Sequence, residues 1–363
     1  MSAIVDAEHG GSSAGPPQAG PHPLGGSTNV FVGRGAVTFR VNPKYVPLVA
    51  TISLFLLMAT LGSVFYTGFF APQVFLNLFI DNAFLIITAV GMTFVILAGG
   101  IDLSVGSVIA LTTMVSASLV QRHGWSPFAV IPLVLLMGTS FGAFMGFLIE
   151  RFRLQPFIVT LAGMFMARGL CYLISIDSID ITNPVYSVIS QARIPVWSSA
   201  EETASISVGA LIAIAVLLAA IFIAHCTAFG RAVYAVGGSE HSAMLMGLPV
   251  RRTVIGVYTL SGFCSALAGV VFTFYMLSGY GLHAVGLELD AIAAVVIGGT
   301  LLTGGVGYVF GTLFGVLMLG IIQTLISFDG TLSSWWTRIV VGALLFVFCL
   351  LQRVFAARRG KPS

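Results

Sequence analysis

The chain has 363 residues, of which 57% are hydrophobic and only 8% are charged, and its mean hydropathy is +1.02. Soluble domains carry roughly 25% charged residues, so this composition excludes a soluble protein and predicts a polytopic membrane protein. The net charge of +3 says little, because the distribution of positive residues between loops decides membrane orientation. The four cysteines and six histidines are scattered without metal-ligand spacing, which argues against a metal site.

The first segment, residues 1–44, is rich in Gly, Pro and Ser and shows no hydrophobic periodicity. Such a segment buries too little apolar surface to offset its ordering entropy, so we expect it to be disordered. The first apolar run starts near Tyr45 and no small-residue cleavage site ends it, so it is not a signal peptide. We expect a transmembrane domain over residues 45–353 and a basic tail over residues 354–363.

Charged residues punctuate the transmembrane domain at intervals close to the roughly 20 residues that a helix needs to cross a bilayer core. The pattern predicts an all-α protein with about ten transmembrane helices. Residues 291–328 contain no charge that would mark a helix boundary, so we divide the eighth from the ninth helix at the glycine-rich segment 298–307. The expected ranges are 45–67, 82–98, 104–120, 127–149, 157–175, 206–225, 254–277, 285–302, 306–327 and 335–351.

Ten crossings place both termini on one side, and the basic residues indicate that this side is the cytosol. With the N-terminus inside, twelve of the sixteen Lys and Arg residues fall in the cytosol, as the positive-inside rule requires. The four tryptophans then lie near the outer interface, where their amphipathic rings favour the headgroups. Residues 176–205 form the largest outer loop and residues 227–252 the largest inner loop. The twelve basic residues placed in the cytosol are Arg34, Arg40, Lys44, Arg151, Arg153, Arg231, Arg251, Arg252, Arg353, Arg358, Arg359 and Lys361.

The most informative stretch is residues 89–106, AVGMTFVILAGGIDLSVG, in which an apolar run reaches two glycines and then Asp102. A carboxylate between two membrane-length segments is costly, so a functional role is the first hypothesis. Asp102 has two interpretations, which the sequence leaves open. It could accept hydrogen bonds from a hydroxylated solute on a transport path, or it could bind the first N–H groups of the helix that follows.

A second glycine-rich segment, GGTLLTGGVG at residues 298–307, follows an apolar run in the same way. Paired glycine-interrupted helices in the two halves of a transporter point to its pathway. Arg168 lies inside the fifth expected helix and must find a carboxylate, backbone carbonyls or water as its partner. Asp102, Glu288 and Asp290 are the possible carboxylates, and a structural ion pair is the expectation. Asn82 and Asp290 stand at outer helix starts, where caps are common. The candidate path residues are Asp102, Ser104, Ser107, Asn82, Arg168, Asp290 and Thr300.

Enzymatic motifs are missing from the sequence. No G-x-x-x-x-G-K-[ST] motif occurs, and the only two lysines are Lys44 and Lys361, so the chain does not hydrolyse ATP through a P-loop. An intramembrane hydrolase would need a serine with a positioned base. Ser104 lacks the G-x-S-x-G context, and His225 lies at the far end of another helix.

Four segments resemble the permease subunits of bacterial ABC importers for monosaccharides. They are AVGMTFVILAGGIDLSVGSV, LAGMFMARG, TAFGRAVYAVGGSEHSAMLMGL and DAIAAVVIGGTLLTGGVGYVFGTLFG, and the likeness covers residues 45–353. Three further stretches are most similar to permeases of the galactofuranose type: DNAFLIITAVGMTFVILAGG, AVGLELDAIAAVVIGGT and SFDGTLSSWWTRIV.

The resemblance implies a multi-pass subunit of the bacterial inner membrane that has no enzymatic activity and no cofactor. Two permeases would pair around a path, as a heterodimer in the galactofuranose type or otherwise as a homodimer. A periplasmic sugar-binding protein would deliver the monosaccharide, and a separate cytosolic ABC ATPase would use the ATP. The lipid bilayer is the remaining partner, and no nucleic acid is expected.

The resemblance also assigns a coupling role within the inner loop. Residues 239–248 are similar to the family's short cytosolic helix, which docks in the ATPase and can transmit a rigid-body movement. In the family's pattern Glu-Ala-Ala precedes a glycine by a few residues, whereas here His-Ser-Ala does so. The coupling residues that this implies are Glu240, His241, Ala243 and Gly247.

Two alternatives from other classes remain open. A stand-alone proton-coupled transporter would use Asp102 and Arg168 as a titrating pair, would need no ATPase, and would make residues 227–252 dispensable. An intramembrane hydrolase would depend on Ser104.

Overall fold

The structure is a computed structural model that describes residues 46–198, 203–331, 333 and 335–359. The expected N-terminal tail, the last four residues of the basic tail and the outer-loop acids Glu201 and Glu202 lie outside the described residues. Within them the chain forms fourteen α-helices and four short strands. The helices are α1 Val46–Phe65, α2 Pro72–Asp81, α3 Ala83–Leu97, α4 Val105–Ala117, α5 Pro127–Phe152, α6 Pro156–Ile174, α7 Pro184–Gln191, α8 Val208–Cys226, α9 Ala228–Gly238, α10 Glu240–Leu245, α11 Val250–Met276, α12 Leu287–Ile297, α13 Val309–Asp329 and α14 Trp335–Arg359.

Seven helices of the described chain are long and apolar enough to cross a membrane: α1, α4 with its π-helical extension Ser118–Arg122, α5, α6, α8, α11 and α13. The pair α2 and α3, bent by 56°, makes an eighth if it counts as one span. The protein is therefore a helical, polytopic membrane protein. The expected crossing at 285–302 is shortened to the 11 residues of α12, about 17 Å of helix against a core of about 30 Å.

Helix α11 lies at the centre of the fold and packs against α3, α4 and α5. A glycine row on α5 permits the close approach: a Cβ on Gly142 would lie 2.2 Å from the carbonyl oxygen of Tyr258. On α13, Gly315 faces α12 in the same way, 1.9 Å from the carbonyl oxygen of Ala294. The two rows, in which glycine recurs every fourth residue, are Gly138, Gly142 and Gly146, and Gly307, Gly311 and Gly315. Such spacing lets helix backbones approach closely, so these rows serve packing.

The expected outer loop is folded rather than a simple connection. Strand β1 (Ile179–Asp180) pairs with β4 (Ser278–Gly279), and β2 (Arg193–Ser198) pairs with β3 (Thr203–Ser207), both antiparallel. The inner loop carries α9 and α10, and each of these helices begins with a side-chain cap: Thr227 accepts from the Gly230 N–H, and Ser239 accepts from the Ser242 N–H.

The chain is interrupted at both of the expected places. The first break, residues 98–104, separates α3 from α4, and the second break, residues 298–308, separates α12 from α13. The two breaks follow α3 and α12, which pack against each other in the interior of the molecule.

Candidate functional site

The first break is built around the Asp102 carboxylate. Asp102 is 1% exposed, and its Oδ1 accepts hydrogen bonds from the backbone N–H of Ser104 at 3.0 Å and from the Ser104 hydroxyl at 2.7 Å. Its Oδ2 accepts from the Ser261 hydroxyl of α11 at 2.7 Å. Ser107, also buried, donates to the Ser104 carbonyl. Asp102 thus ties the turn before α4 to the central helix, but it bonds the N–H of Ser104, the residue before α4, and α4 has no side-chain cap.

The second break is built from glycines instead. Gly304 has φ +83°, a left-handed conformation that favours glycine, and a Cβ there would lie 2.9 Å from the Cα of Gly99. Thr300 is fully buried and packs on Gly307, whose Cβ would lie 2.4 Å from the Thr300 hydroxyl oxygen. The hydroxyl of Tyr234 on α9 donates to the Gly307 carbonyl at 2.9 Å.

The two breaks touch each other and the end of α9. The Gly305 N–H donates to the Leu97 carbonyl at 2.9 Å, which joins the second break to the end of α3. A Cβ on Gly237 would lie 1.7 Å from the same carbonyl oxygen and 2.6 Å from the Gly305 nitrogen. We call Gly99, Gly237, Gly304 and Gly305 the glycine seam. The seam places the end of α9, which leads into α10, in close backbone contact with the end of α3 and with the second break.

The ion pair expected for Arg168 is not found within the described chain. The Arg168 guanidinium donates to the carbonyl oxygens of Gly281 at 2.6 Å and His283 at 2.8 Å, on the segment that leads into α12. Backbone carbonyls therefore take the place of the expected carboxylate partner. Two of the three candidate carboxylates have other partners: Asp102 accepts from serine hydroxyls, and Asp290 lies 3.9 Å from Arg338. The third, Glu288 in the first turn of α12, forms no ion pair with Arg168 within the described residues.

Asn82 and Asp290 come together in a polar cavity formed by two adjoining volumes of about 400 and 570 Å³. Both volumes are lined by Asn82, Leu85, Asp290, Gln323 and Ser327, and we call this space the polar cavity. The polar groups that the two volumes share are a carboxylate, two amides and a hydroxyl, and further polar side chains line one volume or the other; such groups suit a solute with many hydroxyl groups. Asp102, Ser104, Ser107, Arg168 and Thr300 do not line it.

Neither Asn82 nor Asp290 acts as the cap expected at a helix start. Asn82 stands between α2 and α3, and its side chain donates back to the Leu78 carbonyl at 2.9 Å. Asp290 lies inside the first turn of α12 and makes no side-chain cap there. Arg338 on α14 lines one part of the cavity and faces Asp290.

The coupling residues implied by the resemblance lie on α10 and the turn after it. Ala243 is fully buried against Val236 and Val250, whereas His241 is exposed. Residues 244–246, Met-Leu-Met, are 50%, 76% and 67% exposed and form an apolar surface. Gly247 has φ +74° and nothing lies near the position of a Cβ, so glycine is needed there for its backbone. Glu240 forms an ion pair with Arg153 at 2.5 Å.

Sequence reasoning missed three contributors to these sites: Gln323, Arg338 and Tyr258. Gln323 is the one side-chain amide in the apolar run of α13, and this signal was present in the sequence. Arg338 falls on the outer side, at the start of the tenth expected helix, and nothing local indicates that it faces Asp290. Tyr258, on α11, has a buried hydroxyl without a partner in the described part of the chain.

Comparison with known proteins identifies the family. The profile of a family described as "Branched-chain amino acid transport system / permease component" matches residues 74–349. The chain is 53% identical over 310 residues to the inner membrane ABC transporter permease protein YjfF of Escherichia coli, covering 85% of this chain and 92% of that one. It is 42% identical over 330 residues to the fructose import permease protein FruG of Bifidobacterium longum, covering 89% and 95%.

A third relative is the ribose import permease protein RbsC of Haemophilus influenzae, 37% identical over 316 residues that cover 85% of this chain and 93% of that one. No solved structure matches the chain. Permease components are transport subunits rather than enzymes, and an ABC importer also includes an ATPase and a binding protein. The chain belongs to the permease components of ABC sugar importers and is a multi-pass protein of the inner membrane.

Proposed function

We propose that this subunit carries a monosaccharide, galactofuranose in first place, into the cytoplasm, driven by a separate ATPase. The observation that supports this most directly is the polar cavity, whose carboxylate, amides and hydroxyl match the donors and acceptors of a sugar. The cavity is open rather than enclosed by these groups, which suits a path that must release what it receives. Specificity then rests largely with the binding protein.

The choice of galactofuranose rests on the segment SFDGTLSSWWTRIV, residues 327–340, which resembles permeases of that type. Its Ser327, Trp335, Thr337 and Arg338 line the polar cavity, so the resemblance includes residues that would meet the solute. The relatives named for fructose and ribose import make those two sugars the competing substrates to test.

The orientation we propose has about ten crossings, with α12 and α14 completing the set and both termini in the cytosol. Support comes from the exposed arginines Arg151, Arg153, Arg231, Arg251 and Arg252, which lie around α9 and α10. The polar cavity then opens toward the periplasm, and α10 faces the ATPase. The permease domain is residues 45–353, flanked by the tails 1–44 and 354–363.

The apolar surface of α10 supports docking of a partner. Met244, Leu245 and Met246 are exposed while Ala243 anchors the helix to its neighbours, so α10 presents a rigid apolar surface. We propose that this surface, with Glu240, His241 and Gly247, contacts the ATPase. We further propose that the membrane part pairs with a second, related permease.

The proton-coupled alternative loses its proposed titrating pair. Asp102 accepts its hydrogen bonds from serines, and Arg168 donates to backbone carbonyls, so the two residues do not act on each other directly. The proposed path runs past the polar cavity. Asp102, Ser104 and Ser107 hold the first break, Thr300 packs in the second break, and Arg168 holds the segment that leads into α12.

The test is uptake of labelled galactofuranose by cells that express the chain with its ATPase, binding protein and second permease. We expect uptake that unlabelled galactofuranose abolishes, that excess ribose or fructose reduces weakly, and that an inactive ATPase eliminates. Gln323→Leu, in the cavity, should lower uptake several-fold. Gln191→Leu, the same change on the exposed end of α7, is the matched control and should have no effect.

Two results would overturn the proposal. Uptake that persists with an inactive ATPase would favour the proton-coupled transporter instead. Equal effects of Gln323→Leu and Gln191→Leu would remove the polar cavity from the path.

A further inference from the structure

Another cavity, of about 270 Å³, shares no lining residue with the polar cavity. Its walls come from the first break, the turn between α5 and α6, α9, α10 and α11. We call it the Tyr258 cavity. Pockets for drug-sized ligands measure about 300–1,000 Å³, so this volume suits a single-ring solute.

The closed end of this cavity contains an unsatisfied hydroxyl. Tyr258 is 2% exposed, its hydroxyl has no hydrogen-bond partner within the described residues, and it lies against Gly100, where a Cβ would be 2.3 Å away. A buried polar group without a partner destabilises the fold and therefore needs an explanation. A ligand hydroxyl in the cavity would supply the missing partner.

The open end of the cavity carries an ion pair. Arg153 and Glu240 line the cavity, lie 2.5 Å apart, and have side chains that are 59% and 49% exposed. The hydrogen bond with Glu240, and next the charge of Glu150 at 3.7 Å, raises the pKa of Arg153 above its ordinary value. The arginine therefore stays charged at physiological pH.

The backbone at this ion pair is also unusual. Arg153 ends α5 with φ +53°, in the left-handed region where glycine is the common choice. An arginine in that conformation indicates that its side chain is needed at this position. Its partner Glu240 is the first residue of α10, so the ion pair joins the end of α5 to the helix that we propose contacts the ATPase.

We propose that the Tyr258 cavity is an exit subsite for the transported monosaccharide, with the Tyr258 hydroxyl as a sugar contact and the Arg153–Glu240 ion pair as its gate. This inference rests on the proposed function. Movement of α10 separates Glu240 from Arg153 and opens the cavity to the cytosol. The Gly99–Gly100 backbone forms the wall that the cavity shares with the first break.

The sugar contact is tested with the complete importer in proteoliposomes, by measuring how galactofuranose on the ATPase side inhibits uptake. We expect Tyr258→Phe to raise the half-inhibiting concentration at least about fivefold, because it removes one hydrogen bond to the sugar. If Tyr258 has only a structural role, its hydroxyl has no hydrogen bond to lose within the described residues. The half-inhibiting concentration then stays unchanged in Tyr258→Phe, and the thermal stability is equal or higher. Tyr66→Phe is the control, since that hydroxyl bonds Asp329 on other elements.

The gate is tested by sugar efflux from loaded proteoliposomes without ATP. Arg153→Glu and Glu240→Arg should each raise the leak several-fold, and the double exchange should restore a tight vesicle. Glu150→Gln, which leaves the 2.5 Å pair intact, should leak at the wild-type rate. Wild-type leak in both single variants would overturn the gate.

Failures of the two proposals are distinguishable. If the wild-type complex shows no ATP-driven sugar uptake, the proposed function and the exit subsite are both wrong. If uptake is normal and Tyr258→Phe shifts inhibition no more than Tyr66→Phe does, only the exit subsite is wrong.

Discussion

The two breaks interrupt the membrane helices in similar ways but with different chemistry. The first break is held by side chains: the Asp102 carboxylate accepts three hydrogen bonds, from Ser104 twice and from Ser261 once. The second break has no acid, and glycines such as Gly304, with φ +83°, make its turns. The first break also contains a left-handed glycine, Gly99 with φ +85°, so its carboxylate adds a side-chain tie to α11 that the second break lacks. An acid inside a membrane domain is by itself no evidence of contact with a solute.

The breaks also differ in what surrounds them. The first break faces the Tyr258 cavity through Gly99 and Gly100, whereas the second is covered by α9, through Tyr234 and Gly237. Because the two meet at the glycine seam, a displacement of α9 reaches both at once. Substitutions in the glycine seam, at Asp102, at the hydroxyls that join α3 to α13, and at Tyr234 separate these contributions.

The largest expected effect is that of Gly237→Ala. Its Cβ would lie 1.7 Å from the Leu97 carbonyl oxygen, so α9 must move away from both breaks. We expect a loss of at least about 3 kcal/mol of stability, because backbone atoms cannot rotate aside, and loss of transport. Gly238→Ala is the matched control, since nothing lies within 4 Å of its Cβ. Thermal unfolding of the purified protein measures the loss of stability, and an uptake assay measures the loss of transport. Equal results for Gly237→Ala and Gly238→Ala would show that the close backbone contact at Gly237 does not matter.

The next largest effect is that of Asp102→Ala. It leaves the hydroxyls of Ser104 and Ser261 buried without an acceptor, each at about 1–3 kcal/mol. Asp102→Asn keeps an acceptor and should cost about 1 kcal/mol, with transport largely retained. Unfolding temperatures rank the two. Full stability in Asp102→Asn combined with abolished uptake would mean that the charge itself acts in transport.

A smaller effect is expected where the two broken crossings are joined. The Thr93 hydroxyl of α3 donates to the Ala89 carbonyl and lies 2.7 Å from the Thr312 hydroxyl of α13, so Thr312 donates to Thr93. Thr93→Val orphans the Thr312 hydroxyl and should cost about 1–3 kcal/mol, more than Thr312→Val. The double variant should be close to Thr312→Val alone. Simple additivity in this double-mutant cycle would show that the hydroxyls do not interact.

The smallest effect is that of Tyr234→Phe, which removes one hydrogen bond to the Gly307 carbonyl. We expect a loss of about 0.5–1.5 kcal/mol and a mild decrease in uptake. Compared with Gly237→Ala, it measures how much of the link between α9 and the second break is a side-chain bond and how much is backbone packing. A larger effect than that of Gly237→Ala would reverse this ranking.

Helices with uniform apolar composition and clear start signals were predictable from sequence. Helix α5 begins at Pro127 as expected and runs three residues past the expected end, and α6 begins one residue early at Pro156. Proline is favoured in the first turn of a helix, which explains why these starts are legible. The extra helix α2 and the strands of the outer loop were missed, because short amphipathic or paired segments lack a membrane-length hydropathy signal.

The sequence by itself determined the class of protein, the positions of the two breaks and the family, because these depend on composition and on local runs of residues. Only the tertiary structure decided which groups meet. Asp102 bonds to Ser261, Arg168 to the Gly281 carbonyl and Gly305 to Leu97, each across more than a hundred positions of the chain. A polar group in a membrane domain takes whatever partner the packing of helices brings to it. Partners at such separations leave no local pattern in the sequence.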